Sequence, residues 1–137
     1  MSHQVSTSYN GKMNFSSRIG PHEVKMDLAE ADGGQDSAPS PKKLMLASLT
    51  GCTAVDIVSI LNKMKVDFSE FSVDSIASLT EEHPKIYDKV NLIYKIKLAE
   101  ADRPKMEKAI KLSEEKYCGV MAMFRAFAKV ETAVEYL

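Results

Sequence analysis

Along residues 22–28, HEVKMDL, the apolar Val24, Met26 and Leu28 alternate with the charged Glu23, Lys25 and Asp27. A two-residue period of this kind belongs to a strand with one buried face. The preceding stretches QVSTSY and KMNFS are read as its pairing partners, because YNGK and RIGPH carry the Asn-Gly and Gly-Pro pairs that suit tight reversals. The chain up to Leu28 therefore reads as a small meander. EADGGQDSAPSP follows, dense in Gly, Ser, Pro and Asp, and reads as a long connection within one domain.

From Pro41 to about Val66 the pattern turns helical, with Ser40 as N-cap and Pro41 at the first helical position. Leu46, Leu49, Val55, Ile57, Val58, Ile60 and Leu61 place apolar groups nearly all round its middle. Such a helix needs cover on several sides, and a partner subunit is the expected source. Ser48, Thr50, Thr53, Asp56 and Ser59 interrupt the run, which makes it a core helix and not a membrane span.

Two strands come next, EFSVDSIASLT and KVNLIYKIKL; in the second, Val90, Leu92, Tyr94, Ile96 and Leu98 face one way. DRPKMEKAIKLSEEKY is an amphipathic helix with Asp102 as its cap, CGVMAMFRAF a shorter helix, and KVETAVEY a last strand. Strands, helix, strands, helices and strand in that order predict an α+β fold, one domain over residues 1–137, with an antiparallel sheet and a long central helix. Met45, Met64, Met106, Met121 and Met123 are read as core filler, the residues near Cys118 also as lining for an apolar pocket.

Charge narrows the partners. Eighteen Lys and Arg against 19 Asp and Glu leave a net charge of -1, which offers no basic field for nucleic acid and no pull toward anionic lipid. MSHQVSTSYN lacks the basic start and apolar stretch of a signal peptide, so the expected location is the cytoplasm, where two cysteines make a poor structural staple.

The candidate chemistry lies in Cys52 and Cys118. Nucleotide-binding and serine-hydrolase motifs are missing, so no cofactor is expected. His3, His22 and His83 lie far apart, and neither cysteine has a second ligand at the short spacing of zinc sites, so no metal is expected either. Two buried thiols can be plain core packing. Cys118, however, opens a helical segment after SEEKY, where the helix dipole favours a thiolate and Lys116 would add to it. Cys52 has Asp56 one turn on along the same face, and a carboxylate there disfavours a thiolate unless a cation such as Arg18, Lys42 or Lys43 offsets it. Asp56 is otherwise read as a structural acid tied to a cation or a backbone amide. EEKY is read as an exposed helical face.

SPKKLMLASLTGCTAVDIVSIL, with its Ser-Pro start, apolar helix and first cysteine, together with LSEEKYCGVMAMF around the second, resembles the OsmC/Ohr family of osmotically induced and organic hydroperoxide resistance proteins. The likeness runs over nearly the whole chain. It implies an α+β fold with a long central helix in an intertwined homodimer whose sites lie at the subunit interface. It also implies that Cys52 attacks an organic hydroperoxide, that Cys118 resolves the sulfenic acid as a disulfide, that Arg18 assists, and that a small dithiol or a dithiol-bearing protein returns the electrons. Where the peroxidase branches have Pro-Glu, this chain has Pro41-Lys42, and the wording GCTAVDIVSIL and EKYC is closer to a less characterised OsmC-like branch. A dithiol protein that exchanges disulfides and a non-enzymatic binder of an apolar small molecule remain the alternatives.

Overall fold

The computed structural model describes residues 1–137, which fall into two compact units, Met1–Leu46 and Ala47–Leu137. The first holds the expected meander. Strands β1 (Val5–Tyr9), β2 (Phe15–Ile19) and β3 (His22–Met26) form an antiparallel sheet in that order. The Gly-Pro reversal is the two-residue turn anticipated, since Ile19 pairs with His22 and Gly20 takes a φ of 59°. The Asn-Gly reversal is wider than a tight turn. Gly11 and Lys12 both have positive φ, and Asn10 donates from its backbone to the Asn14 carbonyl at 2.9 Å.

The long connection is organised around one acid. Asp27 is 1% exposed, and its carboxylate accepts from the Ser37 hydroxyl at 2.6 Å and from the backbone amides of Leu28 at 2.7 Å and Ser37 at 3.1 Å. The loop turns tightly enough that a side chain at Gly34 would collide with the Leu28 carbonyl. Beyond it, Ser40 caps helix α1 (Pro41–Lys63) as expected, its hydroxyl accepting from the Lys43 amide at 3.4 Å.

In the second unit, α1 does not bury the whole circumference that its sequence suggested. It buries one stripe of i to i+4 spacing, Leu49, Thr53, Ile57 and Leu61. Val55 remains 70% exposed. By length and composition α1 is apolar enough to cross a membrane, yet its buried stripe belongs to a packed core. The helix stops short of Val66 because Lys65 turns left-handed, at φ 58°, and the Val66 amide donates back to the Leu61 carbonyl.

Strands β4 (Phe68–Leu79) and β5 (Tyr87–Leu98) pair antiparallel. On β5 the expected alternation holds: Val90, Leu92, Tyr94 and Ile96 are buried. A register shift opposite Ser78 and Leu79 carries Tyr87 into the buried set out of step with them. Helix α2 (Arg103–Leu112), a π-helical turn (Ser113–Tyr117) and helix α3 (Gly119–Arg125) then lead to β6 (Lys129–Tyr136).

The all-antiparallel sheet expected from the sequence is corrected here. β6 runs parallel to β5, with Val90 opposite Val130 and Ile96 opposite Tyr136. The reason is the helical connection, which is long enough to return the chain to the end of the sheet where β5 began. Asp102 is also corrected. It stands at the N-cap position of α2 but its side chain makes no capping bond, and it pairs instead with Lys105 at 3.5 Å. Of the methionines, Met106 and Met121 are core, whereas Met45 and Met123 are 45% and 66% exposed.

The carboxyl of Asp27 is held down from 3.8 to about 2, first by the Ser37 hydroxyl and then by the Leu28 amide, with burial opposing them. A lowered folded-state value makes this contribution complete above about pH 4 and lost as pH falls toward about 2. We predict that Asp27→Asn flattens the dependence of stability on pH in that window, measured by denaturant unfolding at several pH values. An unchanged profile would assign the acid sensitivity to other carboxylates.

Candidate functional site

Helical spacing sets Cys52 and Asp56 one turn apart on the same side of α1. The third participant arrives from the other end of the unit. The two sulfur atoms and a carboxylate oxygen of Asp56 all lie within 4.8 Å of one another. Both cysteines are free thiols, Cys52 half-buried and Cys118 4% exposed.

The π-turn explains how Cys118 gets there. The Cys118 amide donates to the Ser113 carbonyl at 2.8 Å, a wider loop than an α-helical turn. Cys118 itself is extended, with φ −78° and ψ 98°, so the chain changes direction at the thiol and starts α3. Its sulfur accepts from the Met121 amide at 3.3 Å and so serves as the N-cap of that helix. At the other end of the turn, the Ser113 hydroxyl donates to Asp56 at 3.0 Å.

Asp56 therefore has a hydroxyl partner, where a cation or a backbone amide was expected. Ser113 was not anticipated as a site residue, though it had a signal. It continues the buried stripe of Met106 and Ala109, and a hydroxyl at a core position of an amphipathic helix needs a polar partner.

The expectation that a helix start would make Cys118 the acidic thiol is overturned. Burial, followed by the hydrogen bond with Cys52, pushes its pKa from 9.0 up to about 12; the Met121 amide opposes this, and the nearby Cys52 and Asp56 charges add to it. Desolvation outweighs the dipole of a seven-residue helix. Lys116 lies over the Tyr117 ring, 5.3 Å from its centre. Cys118 is thus held as a neutral thiol at physiological pH.

A second cluster braces the π-turn. Tyr94 donates to Glu114 at 3.1 Å, and Arg125 donates to the Glu114 carbonyl at 3.0 Å and lies 3.6 Å from its carboxylate. Burial first, and then the Glu114 charge, raises the Tyr94 phenol above its ordinary value. Within the run read as an exposed face, Glu114 is therefore an inward, paired acid, its side chain 13% exposed. Beside the thiols, Asp56, Ile60, Lys63, Met64, Lys108, Leu112 and Tyr117 line a cleft of 470 Å³. Arg18 lies on β2 in the first unit, exposed and paired in register with Ser6 and Glu23. Lys42 is exposed at the second position of α1.

The sequence pattern of the family described as OsmC-like protein matches residues 34–133. The chain belongs to the OsmC-like family. Among relatives, it is similar to protein YhfA of Escherichia coli K12, 31% identical over 114 residues that make up 83% of this chain and 82% of the relative. Its fold is similar to that of an OsmC-like protein from Mycoplasma pneumoniae, with TM-score 0.85 and 10% identity over 100% of this chain and 98% of the other. It is similar also to that of an organic hydroperoxide resistance protein from Elizabethkingia anophelis, with TM-score 0.70 and 17% identity over 100% and 99% of the two chains. At those identities the likeness is one of fold. The OsmC-like fold here consists of two three-stranded sheets and three α-helices, and the similarity to YhfA agrees with the less characterised branch.

In this OsmC-like chain Cys118 is buried with a raised pKa while Cys52 is half-buried, so the two thiols should differ in reactivity. Limited alkylation with iodoacetamide at about pH 8 is expected to label Cys52 and to leave Cys118 unmodified until the chain is unfolded. Peptide mapping by mass spectrometry checks it. Equal labelling in the folded state would contradict the burial and raised pKa of Cys118.

Proposed function

We propose that this OsmC-like protein is a thiol peroxidase that reduces small organic hydroperoxides through Cys52 and Cys118. The observation that carries the reading is the meeting of two free thiols and a carboxylate within 4.8 Å, beside a cleft with apolar Ile60, Met64 and Leu112 in its wall. Exposure supports the division of roles: the half-buried Cys52 attacks and the buried, protonated Cys118 resolves.

In this scheme the Cys52 thiolate attacks the outer oxygen of the hydroperoxide. The O–O bond breaks, the alcohol leaves with a proton, and Cys52 becomes a sulfenic acid. The Cys118 sulfur then attacks the Cys52 sulfur, water leaves, and a disulfide forms. An external dithiol, small or protein-borne, reduces it by exchange and is itself oxidised. The name of the E. anophelis relative supports the substrate class. The likeness to the family makes Arg18 our candidate for the cation that favours the Cys52 thiolate, in a chain with Lys42 where the peroxidase branches carry Glu.

The active form in this reading is a homodimer in the cytoplasm. Val55, 70% exposed, lies with Ala54, Val58 and Phe71 along a shallow apolar depression of 540 Å³ on the flank of α1. A second copy of the chain is the cover we assign to it.

With cumene hydroperoxide, the wild type should consume about one equivalent and form the Cys52–Cys118 disulfide. Cys52→Ser should consume none, and Cys118→Ser about one equivalent, leaving a sulfenic acid that dimedone traps. Arg18→Ala should slow the single turnover about tenfold or more, if Arg18 fills the assisting role that the likeness to the family implies. Intact mass and peroxide kinetics read all four. If both cysteine variants behave like the wild type, the pair is core packing.

Light scattering at micromolar concentration should give a dimer for the wild type and a monomer for Val55→Lys. A monomeric wild type would remove the homodimer from the proposal.

A further inference from the structure

We infer that the reduced Cys52–Asp56–Cys118 cluster is a binding site for a thiophilic divalent cation, zinc in the first place, with a fourth coordination position open to the cleft. The site stands on geometry alone. Its consequence for catalysis rests on the peroxidase reading.

Three ligand atoms already lie within 4.8 Å of one another. Tetrahedral zinc with thiolates at about 2.3 Å and a carboxylate at about 2.0 to 2.2 Å sets its ligands roughly 3.5 to 3.8 Å apart. Closing that gap takes small side-chain rotations and no change of fold. Cys52 and Asp56 come from one face of one helix, an i, i+4 spacing that presents two ligands to a single point. The sequence argument against a metal considered only ligands close along the chain; Cys118 joins the other two through the tertiary fold.

Two hydrogen bonds favour the same arrangement. The Ser113 hydroxyl donates to one oxygen of Asp56, at 3.0 Å, and so orients the carboxylate. The Met121 amide points at the Cys118 sulfur from 3.3 Å, a bond that a metal-bound thiolate keeps. Outer partners of this kind orient metal ligands. No salt bridge within residues 47–137 neutralises Asp56, so two thiolates and a carboxylate would carry three negative charges that a divalent ion offsets. Two sulfur ligands select a soft or borderline cation and reject magnesium and calcium, which take oxygen.

Asp56 also lines the 470 Å³ cleft, which gives water or an exchanging ligand access to the fourth position. Binding exchanges two thiol protons for one zinc ion. The disulfide form has no thiolate to offer, so zinc binding and oxidation exclude one another. In a peroxidase, the metal would hold both sulfurs out of reaction until a chelator or a stronger zinc protein withdraws it.

The test titrates the reduced full-length chain with zinc against a chromophoric chelator, and separately with cobalt(II), whose thiolate charge-transfer absorption reports sulfur ligation. Expected are one metal per chain, about two protons released per zinc near neutral pH, and cobalt–thiolate bands. Cys52→Ser and Cys118→Ser should each weaken zinc binding by about a hundredfold or more, and Asp56→Asn by about tenfold or more. Asp56→Asn should still form the Cys52–Cys118 disulfide with diamide, which shows that the variant folds. The diamide-oxidised wild type should bind no zinc. Wild-type affinity in Asp56→Asn, or zinc binding by the disulfide form, would overturn the site. Zinc binding by a chain inert to hydroperoxide supports the site and defeats the peroxidase reading, and turnover without zinc binding does the reverse.

Discussion

One hydrogen bond, from the Cys118 amide to the Ser113 carbonyl at 2.8 Å, holds the site together. It closes a π-turn. The residues inside that turn cannot all follow the stripe that α2 established, so Ser113 stays on the core side while the chain leaves the helix at Cys118. Each end then finds its partner. Ser113 meets Asp56 on α1, and Cys118 meets Cys52 one turn away from it. An uninterrupted α-helix through residues 113–125 would move Cys118 by more than a quarter turn relative to Ser113, and both contacts could not survive together.

The turn is an unusual structure that needs support, and the support is electrostatic as well as apolar. Glu114 is drawn inward by Tyr94 and Arg125. Tyr94 belongs to the buried face of β5, so the sheet is tied directly to the π-turn. On the other side, Met121 and Phe124 of α3 are wholly or almost wholly buried. The pair of thiols is therefore set by elements that also form the core, and a change in packing around Tyr94 or Phe124 would be felt at the sulfurs.

The same burial that positions Cys118 decides its chemistry. A thiol at a helix start gains from the backbone amide it faces, here that of Met121, but a sulfur removed from water loses more by ionising than that amide returns. The result is an asymmetric pair. Cys118 is buried and held protonated, and Cys52 is the thiol within reach of solvent.

Much of this was readable in the chain itself. The alternation in HEVKMDL and KVNLIYKIKL, the Ser40-Pro41 start of α1 and the order of elements follow from local periodicity and capping, which depend only on near neighbours in sequence. The pairing of Cys52 and Cys118 was legible through family resemblance, and the one-turn spacing of Cys52 and Asp56 from helical geometry. What the tertiary structure alone decided are long-range matters. The direction of β6 depends on how far α2 and α3 carry the chain, the exposed flank of α1 depends on which stripe the rest of the unit covers, and the acidity of Cys118 depends on its depth. The partnership of Ser113 with Asp56 depends on a π-turn that no local pattern announces. A residue's burial and its distant neighbours are properties of the packed chain, and the thiol chemistry here is set by both.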